Sequence, residues 1–221
     1  MKKRLLSLML IFAFILETPA NVMAAYDREA AVQYAKKHAA KNTNNKEYDY
    51  YKDGDCTNFV SQCLYAGGIR NQTSISYSDL KYGVNDEKSN WYNKKYTFYR
   101  VGLHLILEIT RWKTSSTWVR VYNTGTGRGL YQYLVNERGC LIAAFENGSK
   151  YSKFEDLVKT AQVGDVIQCS DNINKLTHSV IVTEKTGSDL KVCYHSNDKK
   201  DVSFYDNIWS NYKYMYVIKV K

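Results

Sequence analysis

The chain has 221 residues, with 31 Lys and Arg against 22 Asp and Glu, and therefore a formal charge of +9. That length suits one domain with a single sizeable core. The basic balance draws an exported protein toward anionic polymers, such as an acidic bacterial wall. Nucleic acid is not an expected partner, because no binding motif, zinc finger or basic amphipathic helix accompanies the charge.

The first segment reads as an address. Met1-Lys2-Lys3-Arg4 is positive, residues 5–16 are almost unbroken apolar sequence, and Val22-Met23-Ala24 supplies small or aliphatic residues at a cleavage position. This is the three-part pattern of a secretory signal peptide. Its apolar core, about twelve residues, falls short of the roughly 20 that a spanning helix needs. The expectation is a signal peptide over 1–24 and an exported domain over 25–221, without stable membrane insertion after cleavage and with a charge of about +7 once Lys2, Lys3, Arg4 and Glu17 are gone.

Asp27 is a good N-cap for a helix running to about Lys41, since Ala31, Tyr34, Ala35 and His38 form one stripe at i, i+3, i+4 and i+7. Residues 42–54 read as a loop. A second helix opens at Asp55-Cys56, carries Cys56, Phe59, Val60, Cys63 and Leu64 on one stripe, and stops at Gly67-Gly68. Residues 71–100 carry no clear pattern, and 103–111 suit a strand or a short helix equally. Gly125-Thr126-Gly127-Arg128-Gly129 lacks the context of a phosphate loop and reads as a turn, with a short helix over 130–136 after it. Apolar runs at 163–169, 178–183, 190–195 and 214–220 read as strands. Helices first and an antiparallel sheet afterwards make the fold α+β.

Five cysteines leave an odd thiol, and their spacing contains no C-x-x-C, so neither a structural zinc site nor any other metal is expected. One or two disulfides among Cys63, Cys140, Cys169 and Cys193 are open, as are buried free thiols. Cys56 is distinct because it stands at a helix start, where backbone N–H groups and the helix dipole favour a thiolate and can hold an oxyanion. A buried cysteine on an apolar stripe, like Cys63, is the structural alternative.

A thiol nucleophile needs a base. Among four histidines, His38 and His104 read as structural, whereas His178 opens an apolar strand after a polar loop. With Gly187-Ser188 as a two-residue hairpin turn, Thr186 faces Asp189, Val180 faces His195 and His178 faces Asn197. His178, His195 and Asn197 then share one sheet face, so His195 or Asn197 could orient the base. A thiolate–imidazolium pair would lower the thiol pKa and raise that of the imidazole.

The stretches Asp27-Arg28-Glu29-Ala30-Ala31 and Asp55-Cys56-Thr57-Asn58-Phe59-Val60-Ser61-Gln62 resemble the putative amidase domain family of the papain-like fold. So do Ser116-Thr117-Trp118, Gly164-Asp165-Val166-Ile167-Gln168, His178-Ser179-Val180-Ile181 and Tyr194-His195-Ser196-Asn197-Asp198. The resemblance implies N-terminal helices on a small antiparallel sheet, with Cys56 as nucleophile, His178 as base and His195 as the orienting residue. Asp55 and Asn197 are expected to support substrate or oxyanion. The implied protein is a monomeric, secreted, wall-associated amidase or stem-peptide endopeptidase acting on peptidoglycan without a cofactor. Acyl transfer uses the same chemistry, and an inactive wall-binding or host-interaction module of the same fold is the alternative from a different class. One departure stands out: Lys175-Leu176-Thr177 precedes His178 where the family often has an aromatic residue.

Overall fold

The computed structural model describes residues 25–71, 90–122 and 128–221. Helix α1 (Arg28–His38) begins as expected, with the Asp27 side chain accepting the Ala30 N–H at 2.9 Å. It ends before Lys41, because Asn42 takes a left-handed backbone (φ 67°) and Thr43 folds back onto the Ala40 carbonyl. Helix α2 (Cys56–Ala66) is buried over its first nine residues. It stops at Gly67, where a Cβ would stand 2.5 Å from the Tyr26 ring and 2.8 Å from the Asp27 carbonyl. Only glycine allows the two helices to meet this closely.

The ambiguous stretch resolves as strand. β1 (Asn93–Val101) and β2 (Ile106–Thr114) form an antiparallel hairpin in continuous register. Periodicity over 103–111 could not show this, because the partner strand supplies the pairing. Residues 72–89 and 123–127, including most of the expected glycine turn, lie outside the described residues. The short helix expected over 130–136 is one turn, α4 (Leu130–Gln132), continuing into a π turn over Tyr133–Glu137. Before it comes α3 (Ser116–Val119), capped by Ser115.

The main sheet has six strands: β3 (Leu141–Glu146), β4 (Val166–Ser170), β5 (His178–Lys185), β6 (Leu190–Tyr194), β7 (Lys199–Ser203) and β8 (Tyr214–Lys219). Its order is β3-β8-β4-β5-β6-β7, antiparallel throughout. The expected α+β class holds. The sequence foretells the interior strands β4, β5, β6 and β8, and misses the two edge strands. β7, with Lys199, Lys200 and Asp201, carries no sustained apolar run; β3 does carry one over Leu141–Phe145, and the sequence reading passes over it.

One sheet face packs Ile181 and Cys193 against Ala31, Ala35, Phe59 and Cys63 of the two helices. The other packs Ile167, Val180, Val182 and Val192 against α5 (Phe154–Thr160) and α6 (Phe204–Asn207), through Leu157, Val158 and Phe204. All five cysteines are buried and free, so no disulfide forms and each packs as a small hydrophobe.

A buried carboxylate ties the N-terminal helix to the sheet. Asp165 receives Arg28 and Lys219, each at 2.8 Å, while Arg28 also donates to the Val163 and Val220 carbonyls. Gly164 makes this possible: its φ is +85°, and a Cβ there would lie 2.9 Å from Cβ of Arg28. Gly164→Ala should therefore cost about 1–3 kcal/mol. Urea denaturation checks this, and a loss below about 0.5 kcal/mol would show that the loop relaxes freely.

Candidate active site

The polar residues of the Asp55–Gln62 motif are consumed by packing. Asn58 donates to the Asp49 carbonyl and to Asp55 Oδ1, each at 2.8 Å, and its Oδ1 accepts the Trp118 indole N–H at 3.0 Å. Ser61 donates to the Trp118 carbonyl and accepts from Trp91, and Gln62 accepts the Tyr34 hydroxyl. A helix with polar groups on several sides can be buried only if each finds such a partner. That requirement explains why the motif is so specific.

Thr57 Oγ1 lies 3.0 Å from Ser179 Oγ, which also accepts Gln168 Nε2 at 3.0 Å. This contact clamps the first turn of α2 to the start of β5. Cys56 and His178 are therefore neighbours in sequence of the two residues that touch. Cys56, 6% exposed, is the first residue of its helix, and His178 the first of its strand, as expected. Among the described residues no hydrogen bond joins the thiol and the imidazole. The His178 ring instead meets Tyr194 edge-on at 4.8 Å and stacks on Tyr212 at 5.8 Å.

Burial reverses the charge state expected from the sequence. It pushes the Cys56 thiol pKa up, against the pull of the Ser179 backbone N–H and the hydroxyls of Thr57 and Ser196. It lowers the His178 pKa to about 4. Burial thus favours a thiol at Cys56 and an uncharged imidazole at His178 over an ion pair. Helix-start geometry favours a thiolate, but desolvation outweighs it here.

The third residue also differs. The Thr186–Asp189 turn forms, with Thr186 N–H on the Asp189 carbonyl at 2.8 Å. A bulge then falls between Val182 and Glu184, so that Ile181 faces Cys193 and Val182 faces Val192. The expected pairing of Val180 with His195 is displaced by one residue. Thr183, the extra residue, is held by the Asp201 carboxylate at 2.6 Å. One residue of slip turns every side chain to the opposite face. His178 therefore shares a face with Val180 and Tyr194, whereas His195 shares the opposite one with Ile181 and Cys193 and stacks on Phe59 at 4.1 Å.

Both nitrogens of His195 are engaged. Nδ1 lies 2.5 Å from Asp55 Oδ2, and Nε2 lies 3.0 Å from the His38 carbonyl oxygen. Each ring nitrogen thus has a partner, which fixes the ring between Asp55 and the end of α1. Asp55, expected as a helix cap and as oxyanion support, makes no side-chain cap. Its carboxylate receives His195, the Tyr51 N–H and Asn58 instead. The pair locks the entry to α2 against the end of β6.

A cleft of about 340 Å³ opens beside His178, lined by Tyr194, Ser196, Asn197, Asn207, Asn211 and Tyr212 among others. Asn197 thus lies on the His178 side, where His195 does not. Ser196 has a left-handed backbone (φ 93°), rare for a residue with a side chain, and lines the cleft while its hydroxyl favours the Cys56 thiolate. Ser179, Ser196 and Tyr212 are site residues that sequence reasoning passes over. Serine and tyrosine are common everywhere in this chain, and only the fold distinguishes these three. His38 packs against Tyr34 with the rings tilted and bonds the Thr43 carbonyl, and His104 lies at the exposed hairpin tip. Neither joins the site.

Over 52 residues the chain is 54% identical to a Bacillus subtilis (strain 168) protein described as uncharacterized protein YjcM, covering 24% of this chain and 12% of that protein. Over 43 residues it is 56% identical to uncharacterized protein YhbB of the same strain, covering 20% of this chain and 13% of that protein. No solved structure matches. The family model described as "Putative amidase domain" matches residues 25–219, nearly the whole described chain, and the protein belongs to that amidase family.

Proposed function

We propose that this protein is a secreted, papain-like cysteine amidohydrolase that cleaves an amide bond in peptidoglycan, with Cys56 as nucleophile and His178 as base. The observation that carries the reading is the Thr57–Ser179 contact, which sets a helix-start cysteine beside a strand-start histidine within an amidase family. Residues 1–24 act as the signal peptide, and the basic mature chain associates with the anionic wall as a monomer.

The neutral resting pair defines the order of events. His178, uncharged above about pH 4, takes the Cys56 proton as sulfur attacks the substrate carbonyl. The backbone N–H groups at the start of α2 and at Ser179 face the developing oxyanion. The imidazolium then protonates the leaving amine, and water, deprotonated by the same imidazole, releases the acyl group from sulfur. Asn207 and Asn211, with Asn197, supply amide donors and acceptors suited to a polar peptide in the cleft.

Purified wall digests incubated with wild-type and Cys56→Ser protein, followed by mass spectrometry of new termini, test this. Loss of release by at least about a thousandfold is expected on removing the nucleophile. Equal release by both proteins would refute Cys56 as nucleophile. No release by either, with strong sedimentation on walls, would favour a binding module.

A further inference from the structure

Away from the candidate site, the β1–β2 hairpin carries aliphatic side chains into solvent. The Gly102 N–H bonds the Leu105 carbonyl at 2.8 Å and closes the tip around Leu103 and His104. Leu103 is 97% exposed, and Val101, Leu105, Ile106 and Leu107 are each at least half exposed. Isolated apolar residues on a surface are ordinary, but a cluster at one tip marks an interaction site. Each strand has nine residues and so spans about 30 Å.

The chemistry changes along that length. Behind the aliphatic tip stand Arg100, Arg111, Lys113, Lys94 and Lys95, with Glu108 the only carboxylate on the two strands. The Lys95 ammonium lies 5.8 Å from the centre of the Trp112 ring, and that of Lys94 lies 5.3 Å from the Tyr96 ring. An aliphatic tip flanked at once by Arg100, with further cations toward the protein body, suits an anionic bilayer, whose headgroup phosphates lie just outside its acyl boundary. A second copy of this chain fits less well, because two hairpins of the same sign would repel.

We propose that the hairpin tip docks on an anionic lipid bilayer. Leu103, Leu105 and Ile106 enter the acyl boundary and Arg100 meets headgroup phosphates, while the cations nearer the body add attraction to the anionic surface, without crossing the membrane. Docking would hold a wall-directed enzyme at the membrane side of its substrate, but the inference rests on the hairpin alone and stands whether or not Cys56 is catalytic.

The test uses the chain from Ala25, which contains the described core and the whole family match, so that the apolar N-terminal segment cannot bind by itself. Cosedimentation would be measured with vesicles of phosphatidylglycerol and phosphatidylethanolamine, and with phosphatidylcholine vesicles. Wild type should bind the anionic vesicles more strongly, and salt should weaken the binding. Leu103→Asp with Leu105→Asp should reduce partitioning at least about tenfold, since each leucine loses its apolar burial. Arg100→Glu with Arg111→Glu should also weaken it, and both double variants should melt near the wild-type temperature. Absence of wild-type binding, or equal binding by the Leu103→Asp/Leu105→Asp variant, would overturn the proposal. Self-association of wild type that this variant abolishes, with no vesicle binding, would overturn it in favour of a second copy.

Discussion

Replacing His178 with alanine should lower amide hydrolysis by about 10²–10⁴-fold, the range for loss of a general base. The burial that takes its pKa to about 4 shapes the rate profile as well. The free-enzyme acid limb should fall near pH 4, not near the ordinary imidazole value, because the base stays uncharged down to that point. In the resting enzyme the raised thiol pKa should make Cys56 slow to alkylate with iodoacetamide at neutral pH. Alkylation that stays fast well below pH 8 would mean that an ion pair forms after all. Stability follows the same group. Between about pH 6.5 and 4 the unfolded chain binds a proton on His178 that the folded chain does not, so stability rises with pH across that window and is lost as pH falls through it. The full change amounts to roughly 3 kcal/mol. His178→Gln should flatten that slope. A denaturation series over this range that is unchanged in the variant would show that the imidazole is not buried uncharged.

Removing the Asp55 carboxylate should have the largest effect on stability. Asp55→Ala leaves His195 Nδ1 without its partner in a buried site, and it also orphans the Tyr51 N–H and one Asn58 donor. Leaving a buried polar group without its hydrogen-bond partner costs about 1–3 kcal/mol, and Asp55→Ala does so at more than one group. The pair is 2% and 1% exposed, so solvent screens it little. Thermal or urea melts of Asp55→Ala, His195→Ala and the double variant would measure the coupling. The double variant should be destabilised by less than the sum of the singles, by about 0.5–3 kcal/mol. Strict additivity, or a loss under about 1 kcal/mol for Asp55→Ala, would show that the two groups do not act as a unit. Activity should fall in both single variants, since Asp55 directly precedes Cys56 and its bonds to His195, Tyr51 and Asn58 anchor the start of α2.

Local sequence was sufficient for much of this protein. The Asp27 cap and the Gly67 stop lie within a few residues of the elements that they bound, and helical spacing announces α1 and α2. Cys56 at a helix start and His178 at a strand start follow from the same local signals, as do the four interior strands, whose apolar runs reflect burial on both faces. The edge strand β7 escaped because its residues meet solvent and carry no such run. The partner of each site residue was a tertiary matter. A single bulge at Thr183, held by Asp201 from β7 beyond the neighbouring strand, moved His195 to the opposite face and gave it to Asp55. The protonation of the candidate dyad was decided the same way. Helix position favours a thiolate, but the depth of burial is set by Thr57 meeting Ser179, 122 residues away in the chain, and desolvation wins. Periodicity records which face a residue occupies; how far that face is buried, and what lies across from it, arises only when distant segments pack.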